Sequence, residues 1–339
     1  IGRTAGEDKD NKAEAGSYLL TEVEEQMLDL VCKTFERTIV LLNTGNIIDM
    51  KWVDKYSPSA VAYVWQGGQE GGNGVLDVLK GSVNPSGKLP DTIAYDINDY
   101  PSTKNFGDGK ENIYEEDIYV GYRYFETFAK DKVMYPFGFG LSYTNFDIQL
   151  EKIDMPLPAM DGQGTVAVKV TNTGEIPGKE VVQVYLAAPQ GVLGKPARVL
   201  CGFAKTKTLE PLESQTLDIS IPWYYLASYD AAGETGHRSS YVLEEGEYGF
   251  YIGSDVRSAS LAGHVMIDET VCLQELQEAM APIKEFNILV HKNGKKEMEP
   301  VKTSTVDLYK RIQENLPPSY DLTEDKGYKL SDVVNGKIT

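Results

Sequence analysis

Apolar positions in the first 140 residues fall into short continuous runs separated by stretches of helical spacing. Residues 38–42 (TIVLL) and 59–65 (SAVAYVW) are two such runs, the first ended by Asn43-Thr44-Gly45. Ahead of them, the spacing predicts a helix over residues 17–37. Val23, Met27, Leu30, Val31 and Phe35 share one face, and Thr21 with Glu24 three positions on makes a capping box. A short helix is predicted within 47–56, and another over 74–80, stopped by Gly81. Short apolar strands alternating with helices mean βαβ units, in which a parallel sheet is buried on both faces. Only a few units are visible, so the start of this α/β layer is expected upstream of Ile1.

The pattern changes near Tyr135. From residue 146 to about 268 it becomes strict alternation with turn signals: TVAVKVTNTG, EVVQVYLAAP, QTLDISIP, YVLEEGEYGFYIG. That predicts an antiparallel β-sandwich of immunoglobulin-like size. The remainder is mixed. An amphipathic segment, a Lys-rich turn (HKNGKKE), a helix over 306–314 and the Pro317-Pro318 break suggest a connector that docks on neighbouring domains. The expected class is therefore α/β plus all-β. Residues 1–138 are read as the C-terminal half of an α/β domain with a mainly parallel sheet, 139–268 as the sandwich, and 269–339 as the connector.

Composition narrows the partners. The 339 residues carry a formal net charge of −18, which argues against nucleic acid, whose phosphates demand a basic surface. A neutral substrate such as a sugar is compatible with it. No apolar run reaches the roughly 18 residues of a membrane span, so no membrane partner is expected. Cys32, Cys201 and Cys272 are widely spaced, with neither a disulfide framework nor a zinc pattern, and are read as reduced and mostly buried. The one Asn-x-Ser match, Asn84-Pro85-Ser86, is vetoed by its proline. Free thiols and missing glycosylation sites favour a bacterial cytoplasm over secretion.

Nucleotide chemistry fails on spacing. Gly81 and Gly87 are one residue too far apart for a P-loop, and Lys88 is followed by Leu89. Gly72-Asn73-Gly74 continues without the third glycine of a dinucleotide fingerprint. The glycines from 67 to 74 are read as permitting a tight strand-to-helix turn against another backbone, with Glu70 bonding nearby loop groups. His237, His264 and His291 have no ligand spacing, so no metal and no other cofactor is expected. No G-x-S-x-G elbow marks a serine nucleophile. Carboxylates remain, and glycoside hydrolysis uses two of them, about 5–5.5 Å apart in a retaining enzyme. By residue chemistry alone Glu7, in the polar loop RTAGEDKDN, is one acidic residue among many, and such residues are mostly just solvated.

A run of motifs changes its weight. Ala5-Gly6-Glu7, IVLLN at 39–43, VWQGGQE at 64–70, NPSGKLP at 84–90, YEEDIYVGYRYF at 114–125, YPFGFGLSY at 135–143 and VTNTGEIPGKEVVQVYL at 170–186 occur in that order. Together they resemble glycoside hydrolase family 3, the β-glucosidase family, through its non-barrel α/β domain and its fibronectin type III-like domain. The resemblance implies that Glu7 is the mobile acid/base of a retaining, exo-acting β-glucosidase that removes a terminal non-reducing β-D-glucosyl residue. Arg3 and Asp8 are the flanking candidates for substrate contact, with plain solvated loop charges as the alternative. It also implies a nucleophilic aspartate on a (β/α)8-type barrel. The Ser-Asp-Trp motif expected around that aspartate does not occur here; Ser331-Asp332-Val333 lacks the tryptophan. The ending LSDVVNGKIT resembles the lead-in to the barrel in a reversed-order subgroup, so the barrel is expected on a companion segment or polypeptide after Thr339. The implied partners are a β-glucoside or oligosaccharide and that barrel, with a homo-oligomer left open. Xylose, galactose or an aromatic or steroid glycoside stays open as the specificity. A reading from another class is a carbohydrate-binding or scaffold module, with Tyr185, Tyr248 and Tyr251 as its sugar face.

Overall fold

The computed structural model describes residues 1–3, 11–106, 110–278, 281–282, 284–292 and 294–303. The α/β layer opens with α1 (Glu22–Thr34), which starts five residues later than its apolar spacing predicts. The capping box sets that start. The Thr21 amide donates to Glu24 Oε2 at 2.8 Å, and the Glu24 amide donates back to Thr21 Oγ1 at 3.2 Å. Residues 11–20 form turns instead, with Gly16 at φ +82° and its amide bonded to the Leu19 carbonyl.

The expected buried face of α1 is bare. Only Leu28 is buried, while Val23, Leu30 and Phe35 are 74%, 66% and 61% exposed, because no element among the described residues covers them. Leu28 joins Leu42, Ile48, Met50 and Trp52 in a small core. Strand β1 (Ile39–Leu42) leads through α2 (Lys51–Tyr56) to β2 (Ala60–Tyr63), which pairs with β1 in parallel, Leu42 opposite Tyr63. The N-terminal segment joins the other edge of β1. Gly2 bridges Asn43 in parallel, the Arg3 amide donates to the Asn43 carbonyl, and the Asn43 amide donates to that of Ile1, both at 2.9 Å.

After β2 the chain turns tightly into α3 (Gly71–Leu79). A Cβ on Gly67 would sit 2.7 Å from the Gly71 Cα, which is the close backbone approach that the glycines permit. Helix α4 (Tyr122–Phe128) follows the short strand β3 (Ile93–Ala94), which pairs antiparallel with β4 (Val133–Tyr135).

The β-sandwich begins with β5 (Phe146–Asp154), β6 (Gln163–Asn172), β7 (Val181–Ala187), β8 (Val199–Lys205) and β9 (Ser214–Pro222). It continues with β10 (Ser228–Asp230), β11 (Ser240–Leu243), β12 (Gly246–Gly253), β13 (Ser260–Ile267) and β14 (Val271–Glu275). One sheet has the order β5-β6-β9, another β13-β12-β7-β8, and a third β10-β11-β14. Alternate residues Val166, Val168 and Val170 of β6 meet Val184, Phe250, Ile221 and Trp223 in one core. The strands run past residue 268, since β14 pairs with β11.

The tail supplies one hairpin, β15 (Asn287–Lys292) and β16 (Lys295–Pro300), where the sequence suggests only an amphipathic segment and a turn. Its Leu289 is 2% exposed among Tyr119, Tyr124 and Phe125. The expected helix at 306–314 lies outside the described residues. Residues 1–277 and 285–302 form one compact unit.

Within the larger unit, the α/β layer is stitched to the sandwich by polar contacts. The Gln183 amide donates to the Gly138 carbonyl, and Tyr122 Oη accepts the Leu200 amide at 2.8 Å. Arg257 Nε donates to Glu126 at 3.0 Å, and Lys88 pairs with Glu180 at 2.8 Å with both side chains nearly buried. Asn84 donates to the Pro177 carbonyl and accepts the Tyr143 amide.

Candidate active-site loop

Glu7 and Asp8 lie outside the described residues, but both ends of their loop are placed. The segment leaves the sheet beside Asn43, at the carboxyl end of β1, where ligand crevices of open parallel sheets form. Arg3 holds the departing end. Its Nη1 and Nη2 grip Glu24 Oε1 and Oε2 at 2.6 and 3.0 Å, a bidentate pair. The remaining donors reach the carbonyls of Ser17, Gly2 and Leu19. All five guanidinium N–H groups are spent inside the fold, and the side chain is 10% exposed. Arg3 thus braces the loop and offers no donor to a substrate, unlike its candidate role in contact.

The returning end is held by Asn11. Its Nδ2 donates to the Ile47 carbonyl at 2.8 Å, and its Oδ1 accepts from Ser17 Oγ at 3.3 Å. Ser17 Oγ in turn accepts the Lys12 amide at 3.0 Å. Arg3 and Asn11, the described residues on either side of 4–10, are therefore anchored at Asn43 and at Ile47, the two ends of one short loop after β1.

The loop after β2 closes the same rim. Asn43 Nδ2 donates to the Trp65 carbonyl at 2.7 Å, and Gly45 lies so close to Gln66 that a Cβ there would come within 3.3 Å of Nε2. Trp65 holds a positive φ of 52°, rare for a bulky residue, with its ring 5.0 Å from that of Tyr63. Glu70 bonds Asn73 Nδ2 at 2.6 Å, a local contact at the start of α3.

Electrostatics stiffen this base. Burial pushes the Glu24 carboxyl up, but the Arg3 fork and the Thr21 bonds outweigh it and hold it below its ordinary 4.5. Burial lifts the Tyr63 phenol to about 12 while its oxygen accepts the Ile48 amide. Burial also raises Asp49, with Lys51 at 3.5 Å opposing the shift. Among the described residues, no three His, Cys, Asp or Glu side chains gather as a metal cluster.

Sequence reasoning missed Asn11, Ser17 and the Arg3–Glu24 fork, which join residues up to 36 apart with no motif to mark them. For the sandwich tyrosines, sheet packing holds over the alternative of a sugar face. Tyr185 and Tyr248 are 0% and 1% exposed, and Tyr251 lies under the Arg198 guanidinium at 3.4 Å, so they form no sugar face. The tyrosines that do cluster at the surface are Tyr224, Tyr229 and Tyr241.

Comparison with known proteins agrees with this architecture. Residues 1–143 match the glycosyl hydrolase family 3 C-terminal domain, and residues 180–256 a fibronectin type III-like domain. A beta-glucosidase of Ruminococcus albus is 53% identical over 100% of this chain and 35% of its own length. Beta-glucosidase A of Butyrivibrio fibrisolvens is 42% identical over 83% of this chain and 37% of its own length. The crystal structure of a beta-glucosidase from Paenibacillus barengoltzii superposes with a TM-score of 0.92 at 48% identity, covering 100% of this chain and 38% of that one. Beta-glucosidase 3B from Thermotoga neapolitana, in complex with glucose, gives 0.69 at 38% identity over 78% of this chain and 36% of that one. The chain spans little more than a third of the length of these relatives.

Proposed function

Since the chain belongs to glycosyl hydrolase family 3, with its C-terminal domain followed by a fibronectin type III-like domain, we propose that it is the acid/base-bearing part of a retaining β-glucosidase. A barrel aspartate on a companion segment attacks the anomeric carbon of a terminal β-D-glucosyl residue. Glu7 protonates the departing oxygen, then deprotonates water to release glucose with retained configuration. The observation that carries the reading is the anchoring of Arg3 and Asn11, the described residues on either side of 4–10. Both sit at the carboxyl edge of the sheet, and on this reading Glu7 between them closes over a substrate and withdraws for release. Closure excludes water, which raises a carboxyl pKa and keeps the acid protonated near neutrality. The β-glucoside substrate follows the named relatives. A bacterial cytoplasm is the compartment proposed from the unpaired Cys32, Cys201 and Cys272.

The test is hydrolysis of p-nitrophenyl β-D-glucoside by the full-length protein beside Glu7→Ala, with and without azide. Loss of activity, partly rescued by azide with formation of β-glucosyl azide, is expected. A Glu7→Gln enzyme should also fail most on poor leaving groups. Full activity in Glu7→Ala would move the acid elsewhere.

A further inference from the structure

Among the described residues, Trp65 is the sole aromatic one with a positive φ. Glycine takes a φ of 52° without strain, whereas a bulky residue stays there only when its surroundings over-determine it. Strain of this kind gathers at functional sites.

Two contacts hold Trp65. Its carbonyl accepts from Asn43 Nδ2 at 2.7 Å, and its ring lies 5.0 Å from that of Tyr63. Each contact leads to one of the two anchors. The Asn43 amide donates to the Ile1 carbonyl and its own carbonyl accepts the Arg3 amide, both at 2.9 Å. Tyr63 Oη accepts the Ile48 amide at 3.1 Å, one residue beyond Ile47, whose carbonyl accepts from Asn11 Nδ2. Between the anchors, Thr44 Oγ1 donates to the Asn46 carbonyl at 3.0 Å and accepts the Asn46 amide at 3.2 Å. A glycine at position 65 would relax the backbone but supply no ring to Tyr63. The strained tryptophan serves both contacts at once.

Glu7 is four residues from Arg3 and four from Asn11, and four residues span at most about 14 Å. We infer that Trp65 is a positioning residue for the acid/base group. It acts through Asn43 and Tyr63, which keep the anchors of Arg3 and Asn11 in one fixed relation. The inference rests on the Glu7 reading and deepens it.

The experiment compares kcat/KM of the full-length protein on two substrates. The phenolate of 2,4-dinitrophenyl β-D-glucoside leaves unaided, whereas phenyl β-D-glucoside needs a proton on its leaving oxygen. Trp65→Gly, Asn43→Ala and Glu7→Gln are measured beside wild type. In Trp65→Gly and Asn43→Ala, the loss on the phenyl substrate should exceed that on the dinitrophenyl one by about tenfold or more. Asn43 is exposed, so its truncation keeps the fold, and the urea midpoint checks this. Losses equal on both substrates in the two variants overturn the inference, because a merely structural role is blind to the leaving group. No loss on either substrate overturns it too. Glu7→Gln separates the two readings. Dependence on the leaving group in Glu7→Gln without it in Trp65→Gly and Asn43→Ala removes the inference alone. Its absence in Glu7→Gln removes the Glu7 reading and the inference with it.

Discussion

In the sandwich, Val166, Val168 and Val170 are fully covered, whereas in the α/β layer Val23 and Leu30 of α1 and Phe35 at its end face solvent. Both regions use the same residue types at the period proper to their element. What differs is the number of layers available to cover them. The sandwich closes on itself, since β6 and β9 on one side meet β7 and β12 on the other. The α/β layer offers two paired parallel strands and one bridged segment, and α1 buries Leu28 alone on them. Burial is therefore concentrated in the sandwich, and Arg3 and Asn11 are tied to the thinner region.

The largest effects belong to the closed region. Phe250→Ala empties the centre of the sandwich and should cost about 3–5 kcal/mol in urea unfolding. Next comes the buried pair Lys195–Glu244, whose side chains are 5% and 6% exposed. Burial lowers the Lys195 pKa, with Glu244 opposing the shift. Lys195→Met leaves Glu244 charged without its cation, for a loss of about 3 kcal/mol. The double variant Lys195→Met, Glu244→Leu should recover much of that. Equal instability of single and double variants would show that the pair matters through packing instead.

A smaller effect, with a pH signature, is expected where the thin region is braced. Arg3→Met removes both bonds to Glu24 and the three to backbone carbonyls, for about 1–2 kcal/mol at neutral pH. Because Glu24 titrates below 4.5 when folded, its contribution is fully present above that value and fades as pH falls through the depressed pKa. The gap between wild type and Arg3→Met should therefore narrow on acidification below about pH 4.5. A gap that stays constant would assign the loss to the carbonyl contacts. Activity should fall with it, since the loop loses its fixed origin.

How much was legible follows the same division. Alternation along β6 marks its buried residues one by one, because one face meets the core and the other does not. On β7 the signal fails. Five successive residues are buried, since Tyr185 and Gln183 pack under Tyr122 and Gly138 while Val184 faces the sandwich core. A tyrosine there looks like a surface residue by spacing and is not. Around the loop, the capping box was readable because its two members lie three residues apart. The Arg3 fork onto that same Glu24 was not, since nothing in a linear pattern links a loop arginine to a cap 21 residues away. The Asn11–Ile47 tether is hidden for the same reason. Leu289 shows the limit at domain scale, where one residue of a short hairpin is buried among aromatic residues far upstream, Tyr119, Tyr124 and Phe125.

The smallest predicted effect is the sharpest test of the contrast. Leu30 sits on the bare face of α1, 66% exposed, so Leu30→Lys removes little buried area and keeps a good helix former. In this 339-residue chain it should change unfolding free energy by no more than about 0.5 kcal/mol. The same substitution at a covered helix position would bury an unpaired charge and cost several times as much. The comparison with the full-length protein then carries the information. A cost near zero in both would mean that the face is ordinary solvent-exposed surface. A cost confined to the full-length protein would mean that Val23, Leu30 and Phe35 are covered there, each contributing up to about 1.5–3 kcal/mol of burial. The thin region would then be a layer awaiting its cover rather than a weak one.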